Sequence, residues 1–264
     1  MTDRLSEILD TKRAEVARQK QRTSPSELGE RARMAARPRR FADALRRSGE
    51  IRVIAEVKFA SPAAGTLRET HDPAEVARGY VGAGASTVSV LCDSVYFGGG
   101  WDDLEAVRSA VDVPVLAKEF VVDPWQVVRA RAGGADAVLL IVRALPDEDI
   151  AGLLRATRSM GMEAVVEAAD EAELDRALAL GATVVGVNCR DLRTLQMDEG
   201  TFARLLPRVP AGVVAIAMSG VSSGLALRAL GQTRADAVLV GGALMRTPDP
   251  GATLRSWIEE AHRA

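Results

Sequence analysis

The residues best able to do chemistry in this chain are its lysines, because there are so few of them. Lys and Arg together number 34, and only Lys12, Lys20, Lys58 and Lys118 are lysine. Lysine can give up its proton when desolvated and arginine effectively cannot, so an arginine-rich chain that retains a lysine is retaining a group able to transfer a proton. Lys58 closes the apolar run VIAEVK and Lys118 closes VPVLAK. Lys12 and Lys20 lie in a polar N-terminal helical stretch and carry little meaning for the chemistry.

Histidine is almost as scarce, with only His71 and His262, and the two cysteines, Cys92 and Cys189, have no paired-ligand spacing. These counts argue against a HExxH site, a zinc framework and a disulfide scaffold, and they call for neither a metal nor another cofactor. Proton transfer therefore falls to lysines and carboxylates. With 264 residues, 47% hydrophobic and 27% charged, and a formal net charge of -2, the composition is that of a globular chain with one large core. No apolar stretch approaches the roughly 18 residues of a membrane span, and the opening MTDRLSEILDTKR lacks a signal-peptide core, so a cytoplasmic protein with no membrane partner is expected. The one basic cluster, ARPRRFADALRR at 36–47, reads as a solvated helix face rather than a nucleic-acid surface. A monomer is the expectation, with a homo-oligomer as the alternative.

The elements that must position the lysines follow from alternation along the chain. Strand-like runs fall at 51–58, 86–92, 113–119, 136–142, 162–167, 183–188, 213–218 and 236–241. Helical stretches fall at 73–83, 101–111, 124–133, 147–160, 170–180, 198–206, 222–231 and 250–262, many opened by Asp, Ser or Pro and closed by Gly. The runs are continuously apolar, as parallel strands buried on both faces are. Eight such units predict an α/β fold, a closed (β/α)8 TIM barrel, rather than a doubly wound sheet, and no GxGxxG follows the first strand. The whole chain reads as one domain, with residues 1–50 forming a helical extension whose stripe is Leu5, Ile8, Leu9 and Val16.

In such a barrel the site forms at the C-terminal strand ends. There the sequence places Glu56 and Lys58, Lys118, Glu167, Asn188 and Arg190, and Ser219. Buried ions cost several kcal/mol each unless paired with one another or with a ligand, so their collection at one mouth points to function. Ser219-Gly220 after the seventh run and Gly241-Gly242 after the eighth are positions where backbone N–H groups and a helix start, near Ser222, can receive a phosphate, with Lys58 close in barrel order. Tyr96, Phe97 and Phe120, with Pro62 and Leu139, could form a flat slot for an aromatic ring. The expected partner is a small phosphorylated aromatic substrate handled by Lys and Glu acid–base chemistry.

The strings VIAEVKFASPAAG, GASTVSVLCD followed by YFGGG, VPVLAKEFVVDPWQV, GADAVLLIV, EAVVEA, VGVNCRDL, SGV and DAVLVGGALM resemble the indole-3-glycerol phosphate synthase family over nearly the whole chain, and LSEILDTKRAEVARQK is similar to that family's extra N-terminal helix. The resemblance implies a carboxy-lyase of tryptophan biosynthesis: 1-(2-carboxyphenylamino)-1-deoxyribulose 5-phosphate closes onto its own carbonyl, loses CO2 and then water. It implies Lys118 as general acid, Glu167 as base in the dehydration, Lys58 binding the anionic substrate, and Glu56 and Asn188 holding hydroxyls and orienting the lysines. Ser61 and Arg190 would position ligand and loops, Leu192 would bind substrate, and Ser219, Gly220, Gly241 and Gly242 would face the phosphate.

Several positions depart from the family pattern. Met218 stands where a Glu usual in the seventh strand would face the substrate's hydroxyls, Phe59 replaces a basic residue, Glu119 an Asp, Ala63 a Ser, and Gly242 lies in a loop lacking its common serine. Met218 and Phe59 would make the pocket more apolar. Two alternatives therefore stand beside the synthase: a paralogue acting on a related arylamino sugar phosphate, and a non-catalytic barrel that binds a phosphorylated ligand.

Overall fold

The computed structural model describes residues 3–263. Eight parallel strands, β1 (Arg52–Val57), β2 (Thr87–Leu91), β3 (Val115–Lys118), β4 (Ala137–Ile141), β5 (Glu163–Ala168), β6 (Val184–Asn188), β7 (Val214–Met218) and β8 (Ala237–Val240), pair in chain order and close β8 onto β1. Three helices precede them: α1 (Arg4–Arg22), α2 (Pro25–Met34) and α3 (Phe41–Leu45). The crossovers are α4 (Pro73–Gly82), α5 (Trp101–Ala110), α6 (Pro124–Ala132), α7 (Asp147–Ser159), α8 (Glu171–Ala179), α9 (Thr201–Leu205) and α10 (Gly224–Gly231), and after β8 come α11 (Gly242–Met245) and α12 (Pro250–His262). This is the (β/α)8 barrel expected. The differences are local: the helix expected over 198–206 is confined to α9, and the four-residue α11 carries no pattern the sequence could show.

Local chemistry sets the boundaries. Asp72, Asp123 and Asp249 cap α4, α6 and α12 by accepting backbone N–H groups of the first turn, and in each case a proline follows where no N–H is needed. Every residue of β2, β4, β6 and β7 is buried, which accounts for the unbroken apolar runs. One strand face packs under the helices and the other fills the barrel with Ile54, Leu116, Leu139, Val165, Ile216 and Leu239. Side chains alternate along a strand, so two residues further on these inward columns deliver Glu56, Lys118, Ile141, Glu167, Met218 and Gly241 to one mouth.

The N-terminal helices close opposite ends. α3 buries Phe41 and Leu45 against inward residues at the strand starts, among them Ala137, Val184 and Val214. α1 crosses the mouth side: Arg4 N–H donates to the Arg193 carbonyl beyond β6, and the Thr11 and Tyr96 hydroxyls lie 2.9 Å apart beyond β2. Among the described residues no helix is long and apolar enough to cross a membrane.

Candidate active site

A cavity of about 960 Å³ opens where the strands end, and every candidate named from the sequence other than Tyr96 and Phe59 lines it. Its charged part is built on three inward columns. Glu56 is buried, with Oε1 2.6 Å from Lys58 Nζ and Oε2 3.7 Å from Lys118 Nζ. Burial alone would push the Glu56 carboxyl up, but the Lys58 and Lys118 ammonium groups outweigh it and hold it below the usual carboxylate range. Lys118 is at ion-pair distance but makes no hydrogen bond to Glu56, and Glu56 Oε2 has no hydrogen-bond partner among the described residues. The ammonium is therefore steered by charge and left with donors to offer.

Glu167 is buried too, and its protein hydrogen bond is from Asn188 Nδ2, 2.9 Å from Oε1. Burial pushes its carboxyl above the ordinary range, against the opposing pull of Lys118 and the Asn188 bond. Asn188 is itself fixed, because its Oδ1 accepts the Arg190 backbone N–H at 3.0 Å. Arg190 then donates to the Leu195 carbonyl at 3.0 Å and its backbone bridges to Met197, folding the loop after β6 back over the site. A carboxyl raised by burial, beside an ammonium that keeps free donors, is better suited to taking a proton than an ordinary carboxylate.

The corner between β7, β8 and β1 is lined by glycine backbone. Ser219 has φ 70°, a left-handed conformation that costs a non-glycine residue roughly 1–2 kcal/mol, and Gly220 follows at φ 76°. The helix after this turn is capped by Ser223 rather than begun at Ser222. At Gly241 a Cβ would lie 2.8 Å from the Glu56 Cβ, so no larger residue fits without displacing that carboxylate. At Gly242 a Cβ would lie 3.8 Å from Lys58 Nζ, which places this ammonium between Glu56 and the start of α11. Arg246, at the end of α11, lines the same cavity and was not flagged from the sequence; it follows Gly242 by one helical turn.

The opposite wall is apolar. The Phe97 and Phe120 rings stand with centroids 6.0 Å apart, and Pro62, Leu139 and Leu192 line the cavity with them. Ile141 and Leu239, also missed, complete it. Ile141 could have been found, since it is two residues beyond Leu139 on the same face. Ser61 and Ala63 lie in the short turn after β1 whose backbone pairs Ala60–Ser61 with Gly65–Thr66.

Three expectations are corrected. Tyr96 does not line the cavity, because its hydroxyl is turned to Thr11 of α1. Phe59 does not either: it is buried under the helices with its ring stacked on His71 at 4.0 Å, so it adds no apolar surface to the pocket. Alternation explains this, since the neighbour of an inward Lys58 faces outward. Lys12, passed over as part of a polar helix, is 1% exposed and its ammonium meets Glu15, Asp93 and Glu119. Met218 stands where expected, buried at the mouth with its Sδ occupying the space that a Cβ on Gly186 of β6 would need.

Comparison with known proteins gives the family. Residues 5–257 match the family described as indole-3-glycerol phosphate synthase. Proteins of that name from Mycolicibacterium vanbaalenii and Parafrankia sp. are 49% and 50% identical over 246 residues, 93% of this chain and 90% and 91% of theirs. The one from Mycobacterium avium is 49% identical over 250 residues, 95% of this chain and 92% of its own. Among solved structures, 3-hexulose-6-phosphate synthase from Salmonella typhimurium (TM-score 0.64, 16% identity, 80% of this chain and 98% of that one) and the tryptophan synthase alpha subunit from Legionella pneumophila (0.58, 15%, 80% and 92%) share the fold.

Proposed function

The chain belongs to the indole-3-glycerol phosphate synthase family, and from that premise we propose how its barrel mouth divides the work of the reaction. The activity is that of a carboxy-lyase, and the substrate is a small phosphorylated aromatic compound. The observation that carries the assignment of roles is a division within one cavity: two lysines converge on Glu56, Glu167 has only an amide partner, a glycine-lined corner lies to one side and an aromatic pair to the other.

The arylamino ring lies between Phe97 and Phe120 over Leu139, Pro62 and Leu192. The phosphate sits against the backbone of Ser219, Gly220, Gly241 and Gly242, with Lys58 supplying positive charge. This fixes the sugar carbonyl near Lys118. The ring carbon bearing the carboxylate attacks that carbonyl while Lys118 gives a proton to the oxygen, forming the new C–C bond and a hydroxyl. Loss of CO2 returns the electron pair to the ring. A proton from the second ammonium, Lys58, lets the hydroxyl leave as water while Glu167 removes a proton from the methylene carbon beside the nitrogen, whose C–H electrons form the new double bond, and the raised pKa of Glu167 matches that basic role. Glu56 orients both ammonium groups, and Asn188 orients Glu167. Ser61 and Arg190 hold the closing loops, and we place the protein in the cytoplasm, where such a substrate is made and used.

The test is direct. Purified protein mixed with 1-(2-carboxyphenylamino)-1-deoxyribulose 5-phosphate should develop indole fluorescence over minutes, and Glu167→Gln should stall after CO2 release. Substrate binding without fluorescence in the unaltered protein would defeat the assignment and favour the ligand-binding barrel.

A further inference from the structure

The buried cation outside the cavity has a geometry that the catalytic roles do not explain. Lys12 Nζ lies 2.7 Å from Glu15 Oε2 on its own helix, 2.9 Å from Asp93 Oδ2 and 3.1 Å from Glu119 Oε2. The two distant carboxylates each use their other oxygen on backbone that carries a pocket ring. Asp93 Oδ1 accepts from Tyr96 N at 2.6 Å and Phe97 N at 3.2 Å. Glu119 Oε1 accepts from Phe120 N at 2.7 Å. One ammonium thus ties the loop after β2 to the loop after β3, and the two rings that it spans are the pair 6.0 Å apart in the cavity wall.

We infer that Lys12 is a positioning residue of the active site: its buried ammonium, ion-paired with Asp93 and hydrogen-bonded to Glu119, sets the spacing of Phe97 and Phe120 and steadies the backbone just after Lys118. The N-terminal helix is by this reading part of the substrate site without touching substrate. Charge supports it. Lys12 faces three carboxylates, and burial pushes the Glu119 carboxyl up to about 7 despite Lys12. Such an arrangement is too costly to persist as mere anchoring when exposed pairs, such as Lys20 with Asp123 at 2.8 Å, hold the same helix down. The inference rests on Phe97 and Phe120 being the ring slot.

The experiment measures KM, kcat and Tm in four variants of the full chain. Lys12→Met should raise KM about tenfold with kcat changed less than about threefold. Lys20→Met, which frees the same helix at an exposed pair with Asp123, should leave both unchanged. Lys12→Met with Glu119→Gln removes one of the two buried carboxylates left unpaired, Asp93 remaining, so Tm should recover in part while KM stays raised; this pair also serves if the single variant does not fold. Phe120→Ala should raise KM. A folded Lys12→Met with unchanged KM, an equal rise in Lys20→Met, or recovery of KM in the double variant would overturn the inference while leaving the slot intact. An unchanged KM in Phe120→Ala would overturn the slot assignment, and this inference with it.

Discussion

Both ends of the barrel carry buried carboxylates, and the difference lies in what satisfies them. At the strand-start end Asp136 is fully buried, accepting from Arg39 N at 2.6 Å and Val115 N at 2.7 Å, with Arg108 at 3.4 Å. Asp236 accepts from Ala215 N at 2.8 Å and from Arg234 at 2.8 Å. Both lie in the string ADAVL, at 135–139 and 235–239, and each reaches back to the strand before its own. At the mouth, Glu56 has one oxygen without a hydrogen-bond partner and Glu167 has a single amide. Charges drawn from several strands occur at both ends, so their number does not mark the site. Between these two ends it is satisfaction that differs: the strand-start carboxylates are taken up by backbone N–H groups and arginine, whereas the mouth carboxylates keep capacity that a substrate in the cavity can use.

The comparison breaks if a mouth residue and a strand-start residue fail in the same way. Lys118→Ala should lower kcat by roughly 10²-fold or more with Tm little changed, since the acid is removed from a cavity wall. Asp136→Ala should do the reverse. It strips acceptors from two buried N–H groups and costs about 2–4 kcal/mol in denaturant unfolding, while kcat at 25 °C stays within about twofold of the unaltered protein. A large kcat loss in Asp136→Ala would erase the distinction between the ends.

A smaller effect sharpens it. Glu167 must be ionised to act as base, and its pKa is raised, so kcat should fall as pH drops through that raised value, above the ordinary carboxylate range. Asn188→Ala removes the hydrogen bond that favours the ionised form. The acid limb of the pH–kcat profile should then move to still higher pH, by the worth of one hydrogen bond, about 1 kcal/mol or 0.7 of a pH unit. A shift to lower pH would show that Asn188 does not stabilise the Glu167 carboxylate.

What was legible in the sequence is what repeats at short range. Glu56 and Lys58 stand two apart on one strand, and a strand end is visible from its own run, so the mouth could be assembled from local pattern and the barrel rule. The same alternation, applied strictly, would have turned Phe59 away from the pocket. Lys12 was misread by composition, although its position was informative: Leu5, Ile8, Leu9 and Val16 define a helical stripe on which residue 12 lies four after Ile8 and four before Val16. A lysine on an apolar stripe demands buried partners. Those partners, Asp93 and Glu119, come from distant segments and could not be paired before the fold was known. Arg246 depends likewise on α11, which is too short to have a period.

The smallest expected change concerns Met218, the one departure that reaches the cavity with a change of charge. Strand register sets it between Asn188 on β6 and Leu239 on β8. The mouth now balances two lysines against Glu56 and Glu167, and Met218→Glu would add a third carboxylate and an acceptor for a substrate hydroxyl. One added hydrogen bond of about 1 kcal/mol should raise kcat/KM roughly fivefold. The same negative charge beside Asn188 should move the acid limb of Glu167 upward, because a like charge disfavours ionisation. Both changes would identify Met218 as a loss of one polar contact within an otherwise intact synthase site. A fall in kcat/KM with the limb displaced as expected would mean that the charge arrives where register says and the substrate has no hydroxyl to meet it, which is the outcome that favours a related, less hydroxylated arylamino substrate.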